Sequence, residues 1–211
     1  MPEALLIFDC DGVLVDSERL SHGVLQQMLA ELGVVLSFEA TLERFIGTSL
    51  PVCLARASAL LGGTLPEDFR SRFAQRTRAA FEAGLQPVAG IEPLLAALRT
   101  PYCVASNGNR AKVEFTLGHT GLLPRFTGRI FCADDVLHPK PAPDLFLHAA
   151  RCMSVAPRHS TVVEDTPTGI AAAKAAGMRA IGFAAMTPRD RLAAAGADAL
   201  ADSMAELAAL L

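Results

Sequence analysis

Lysine is the charged residue this chain uses least: Lys112, Lys140 and Lys174 are the only three in 211 residues. None falls between residues 17 and 84, so chemistry that needs an amine from that stretch is excluded. No apolar run is long enough to cross a bilayer. The opening residues carry neither a cationic leader nor a cleavable apolar segment, which predicts a cytosolic protein. Cys10, Cys53, Cys103, Cys132 and Cys152 have no CxxC spacing, so packed, reduced thiols are expected rather than disulfides or a zinc site. His119, His138, His148 and His159 show no metal-ligand spacing either. A net charge of −3 leaves no basic field for nucleic acid.

What is present is apolar residue in quantity: 51% of the chain, enough for a sizeable core at this length. The run Leu5, Leu6, Ile7 and Phe8 lacks the alternation of a half-exposed strand and fits one buried on both faces of a parallel sheet. Directly behind it stand Asp9 and Asp11. Strand geometry sends residues i and i+2 to one side, so these carboxylates are expected to converge while Cys10 points away. Buried acids must find partners or hold a cation.

Residues 17–84 then read as helix upon helix. Leu20, Val24, Leu25, Met28, Leu29 and Leu32 follow a period near 3.6, and this segment and the three after it are expected to stop at glycines. Arg70, Arg72, Arg76 and Arg78 are expected to form a solvated face. From residue 88 strands alternate with helices, which implies βαβ units and a parallel sheet. The expected architecture is an α/β core with a Rossmann-like parallel sheet, residues 1–16 and 85–211, interrupted by an all-helical insertion, residues 17–84.

Polar residues close three strands: Asp9 and Asp11, Ser106 and Asn107, Glu164 and Asp165. In open α/β sheets the crevice beyond the carboxyl ends of the strands receives the ligand. Four carboxylates among neutral donors and one lysine suit a hard divalent cation, with magnesium the best fit because it shares phosphate oxygens. An EF-hand is excluded, since counting from Asp9 the position for a bidentate glutamate holds Leu20. Asp9 can act as a nucleophile and Asp11 can move a proton. Ser106, Asn107 and Lys140 can grip a phosphoryl group.

DCDGVLVDSE, SNG, Lys140 in KPAPD and VVEDTPTGIAAAKAAG together resemble the haloacid dehalogenase superfamily, in its magnesium-dependent phosphatase and phosphomutase branch. The resemblance implies Asp9 as nucleophile, and Asp11 as acid/base and as a metal ligand through its main-chain carbonyl. It implies Asp165 as the direct carboxylate ligand, with Glu164 nearby or acting through water. Ser106, Asn107 and Lys140 would hold phosphate, and residues 17–84 would be a cap that closes over the site and selects the leaving group. The substrate would be a small phosphorylated metabolite; no nucleic acid or membrane partner is expected.

Within that family, Asp11 argues against dehalogenation. Schiff-base cleavage of phosphonates needs a cap lysine, and residues 17–84 have none; only Lys112 reaching in would reopen it. The similar β-phosphoglucomutases carry a cap histidine and a cap lysine where this chain has Ser21 and Ile46, with His22 one residue off. That favours hydrolysis, with mutase-type transfer as the alternative. RTPYCVASNG resembles bacterial phosphatases of 6-phosphogluconate and related sugar phosphates. Arg44, His22 and Glu18 are candidate contacts for the substrate's far end.

Overall fold

The structure is a computed structural model describing residues 4–211. The chain divides into two compact units. One joins the first residues, up to Asp16, to Gln86–Leu211; the other is Ser17–Leu85.

The first unit is built on six strands: β1 (Leu5–Phe8), β2 (Tyr102–Ser106), β3 (Ile130–Cys132), β4 (Ser160–Glu164), β5 (Arg179–Phe183) and β6 (Ala199–Ala201). Their order is β3-β2-β1-β4-β5-β6, and every pairing is parallel. All four residues of β1 are buried, as the unbroken apolar run requires. Helices follow the strands as βαβ crossovers demand. Those of this unit are α5 (Ile91–Ala97), α6 (Arg110–His119), α7 (Asp144–Cys152), α8 (Pro167–Ala175), α9 (Arg189–Ala194) and α10 (Met204–Leu210). The helix α7 packs on β1, β2 and β3, and α8 packs on β4 and β5. Leu5, Ile7, Cys103, Val162, Phe146 and Ile170 meet in the resulting core. The chain winds outward in one direction through β2 and β3 and in the other through β4, β5 and β6. The reversal places the crevice at the carboxyl end of β1.

The second unit holds α1 (Ser17–Glu31), α2 (Phe38–Phe45), α3 (Leu50–Leu61) and α4 (Phe69–Gly84). Its core draws Leu25, Met28 and Leu29 from α1, Phe45 from α2, Ala57 from α3 and Phe69 from α4. The helix α2 starts at Ser37, whose hydroxyl accepts the N–H of Ala40 at 3.1 Å. Two expectations need correcting. The helix α3 stops at left-handed Gly62, but α4 runs through Gly84 and ends at extended Leu85, so Gly84 is a helical residue and not a stop. Arg72 and Arg76 are not simply solvated: one turn apart on α4, both reach Glu31 of α1.

The two passages between the units lie side by side within the first. Val15 pairs antiparallel with Pro87, and the N–H of Asp16 donates to the carbonyl of Gln86 at 2.9 Å. Among the described residues no helix is long and apolar enough to cross a membrane. All five cysteines are thiols, four of them buried.

Candidate active site

Everything at the tip of β1 gathers around one ammonium. Lys140 is 6% exposed, and its Nζ donates to Asp9 Oδ1 at 2.6 Å, to Glu164 Oε1 at 2.7 Å and to the carbonyl of Ala105 at 2.8 Å. These three bonds use all its donors. The nitrogen also lies 4.7 Å from the centre of the Phe146 ring. Burial works against the ammonium, but Asp9 and Glu164 outweigh it and hold its pKa above the usual lysine value.

The loop that carries Lys140 is fixed from the end of β2. Asn107 Nδ2 donates to the carbonyl of Lys140, and Asn107 Oδ1 accepts its N–H, each at 3.0 Å. The side chain of Asn107 is therefore joined to main chain at both ends. Ser106 is buried beside it, and its hydroxyl accepts the N–H of Gly108 at 3.0 Å. That contact tightens the turn into α6.

Glu164 closes β4 fully engaged. While Oε1 takes Lys140, Oε2 accepts both the N–H of Thr166 at 2.9 Å and its hydroxyl at 2.8 Å. Thr166 in turn caps α8 by accepting the N–H of Gly169. Gly169 is required here, because a Cβ would stand 1.8 Å from Glu164 Oε1.

Asp9, Glu164 and Asp165 each bring one oxygen within 4.8 Å of the others, all buried. Gly12, at φ +76°, lets the turn after β1 press on Asp165: a Cβ there would meet Asp165 Oδ2 at 2.2 Å. Burial pushes the carboxyl of Asp9 up to about 7; Lys140 opposes that, while Glu164 and Asp11 add to it. Three buried acids face one lysine, an acidic excess that suits a divalent cation.

Asp11 lies near enough to Asp9 to raise its pKa, but its Oδ2 is not one of the three clustered oxygens and accepts instead from Lys112 Nζ at 2.7 Å. Lys112 does reach in, but as an ammonium paired with Asp11 and from the α/β unit rather than from residues 17–84. The available signal for this contact was its place in the first turn of α6, three residues after the cap Asn109 and on the same sheet edge. The acids closing β3 also stay apart from the cluster. Asp134 accepts the N–H of Arg110, and Asp135 takes the Arg110 guanidinium at 2.9 and 3.1 Å. His138 pairs with Asp144. In the helical unit His22 Nδ1 lies 2.7 Å from the carbonyl of Glu18. Arg44, exposed, lines a groove of about 400 Å³ with Glu43, Arg56, Ala59 and Leu60.

Comparison with known proteins bears on this arrangement. The family model described as haloacid dehalogenase-like hydrolase matches residues 4–177. The chain is 33% identical over 182 residues to the 6-phosphogluconate phosphatase of Escherichia coli K12, covering 85% of this chain and 82% of that protein. Among solved structures it resembles a conserved haloacid dehalogenase-like protein of unknown function from Agrobacterium tumefaciens C58. The TM-score is 0.92 at 36% identity, over 99% of this chain and 97% of the other. A β-phosphoglucomutase-type structure from Thermotoga maritima matches with a TM-score of 0.79 and 25% identity, over 98% of each.

Proposed function

The chain belongs to the haloacid dehalogenase-like hydrolase family and is a phosphoric monoester hydrolase, and from that premise we propose a magnesium-dependent phosphatase of small sugar phosphates working through an aspartyl-phosphate on Asp9. The observation that carries this reading is the buried bridge from Lys140 to Asp9 and Glu164 beside Asp165. A carboxylate held by a buried ammonium beside further acids supports a nucleophile next to a cation site.

Asp9, Asp165 and the main-chain carbonyl of Asp11 would hold magnesium. Glu164, with both oxygens already engaged, keeps Lys140 in place behind them. Bound there, the ion would offset the charge of the acids and of the phosphoryl oxygens.

The chain's own groups do the rest. Asp9 attacks phosphorus in line with the departing oxygen; the P–O bond to that oxygen breaks and its electron pair leaves with it. Asp11 delivers a proton to it, so that an alcohol departs. Water then attacks the phosphorus of the aspartyl-phosphate, Asp11 takes its proton, and the bond to Asp9 breaks to give inorganic phosphate. The hydroxyl of Ser106 and the main-chain N–H of Asn107 would bind phosphoryl oxygens, and the Lys140 ammonium beside them would offset the charge that builds there. The unit Ser17–Leu85 is the proposed selector of the leaving group.

A phosphate-release screen over sugar phosphates, with and without magnesium, tests the reading. β-Glucose 1-phosphate separates the two reactions the family offers: free phosphate supports hydrolysis, and glucose 6-phosphate supports transfer. No magnesium-dependent release from any member would reject it.

A further inference from the structure

Lys112 has no place in the mechanism above, yet its ammonium touches the residue that moves the proton. Both ends of that contact stand on fixed backbone. Asp11 lies in a tight turn, where Gly12 N–H donates to the carbonyl of Val15 and Leu14 N–H to that of Cys10, each at 2.9 Å. The N–H of Lys112 donates to Asn109 Oδ1 at 2.8 Å, in the capped first turn of α6. That turn is tied to the end of β3 by Arg110, through Asp134 and Asp135. A lone surface ion pair loses most of its attraction to side-chain freedom. Here the backbones are set, so the contact selects one orientation of a short carboxylate. Lys112 is exposed, at 43%, and Asp11 partly so, at 21%, so the pair contributes little to stability. Its effect falls on where the Asp11 carboxyl points.

We propose that Lys112 is a positioning residue that holds Asp11 in the orientation from which it protonates the leaving oxygen. This rests on the acid role given to Asp11 above. As the P–O bond breaks, the electron pair goes to the leaving oxygen and the Asp11 proton follows it. The carboxylate left behind stays in contact with the Lys112 ammonium, ready to accept the proton of water in the second step.

The test compares kcat/KM, which reports the first phosphoryl transfer, on two probes. Glucose 6-phosphate must expel an alkoxide and needs the proton; 4-nitrophenyl phosphate expels a stable anion and needs it far less. Lys112→Met is expected to lower the sugar-to-aryl ratio at least tenfold, a share of the roughly 10²–10⁴ a positioned acid contributes. Lys112→Arg, which keeps the charge, is expected to restore most of it. Asp11→Asn is the control and is expected to show the same selectivity. If Asp11→Asn is selective but Lys112→Met leaves the ratio unchanged, or depresses both probes equally, Lys112 does not position the acid. If Asp11→Asn is itself unselective, the acid role of Asp11 falls and the proposal with it.

Discussion

Asn107 and Lys140, thirty-three positions apart, are joined like neighbours in a ladder: the side-chain amide of one bonds the main-chain N–H and carbonyl of the other, both at 3.0 Å. The buried ammonium therefore depends on a side chain at the end of a different strand. Asn107→Ala releases the loop and is expected to lower kcat/KM by about 10²-fold, the scale of a roughly 1 Å misplacement of a reacting group. It should also weaken inhibition by inorganic phosphate. Steady-state kinetics with added phosphate checks both, and unchanged phosphate inhibition would argue that Lys140 holds its place unaided.

Asp9→Asn is expected to abolish turnover and to remove a loss of stability that the metal-free parent suffers as pH rises through neutrality. Burial raises the folded carboxyl to about 7 from 3.8, so the folded state keeps a proton that the unfolded chain has released. The stability associated with Asp9 is therefore fully present below the unfolded value and is lost as pH rises through about 7. The amide has no such pH dependence, so the stability of the variant relative to the parent should rise from pH 4 to pH 8. Urea unfolding of both proteins at the two pH values, with chelator present, measures it; a difference that does not change with pH contradicts the electrostatics given for the site.

Lys140→Met should act in the opposite sense. It leaves Asp9, Glu164 and Asp165 buried without their cation, and removing one partner of a buried pair costs about 3–5 kcal/mol. Magnesium should recover part of the loss, because a ligand bound only by the folded state stabilises it. Thermal melts with and without magnesium decide this; a variant that melts like the parent would mean the acids do not need the lysine.

Gly169→Ala places a methyl carbon 1.8 Å from Glu164 Oε1. Glu164 has to move, and the bonds to Lys140 and Thr166 move with it. A loss of about 2–4 kcal/mol is expected from disrupting a buried charged network. Gly177→Ala is the comparison, since its Cβ meets no atom within 4 Å and only its φ of +70° opposes it. If denaturant melts show Gly169→Ala losing no more than Gly177→Ala, Glu164 has room that the structure denies it.

Much of this was written in local pattern. The buried run Leu5–Phe8 announces a central strand, because only a strand covered on both faces tolerates four apolar residues without alternation. The acids and small donors that close β1, β2 and β4 share one edge because every strand of the sheet runs the same way. Periodicity in the first segment, and glycines bounding the segments, mark the helices of residues 17–84.

Pairing was another matter. The Asp-Cys-Asp spacing set two acids at the tip of β1; the fold alone gives Asp11 its contact with Lys112 and brings Asp9 to acids more than 150 positions away. That the Asn107 side chain holds the Lys140 loop was equally outside local pattern. Strand order and a helix's first turn determine which side chain lies opposite which, and neither is a property of neighbouring residues. The amino-acid sequence therefore determined which groups stand at the sheet edge, since burial and chain direction follow from local pattern. Only the tertiary structure decided which of them touch, because a hydrogen bond of 2.6 Å between residues 131 positions apart depends on the packing of the whole sheet.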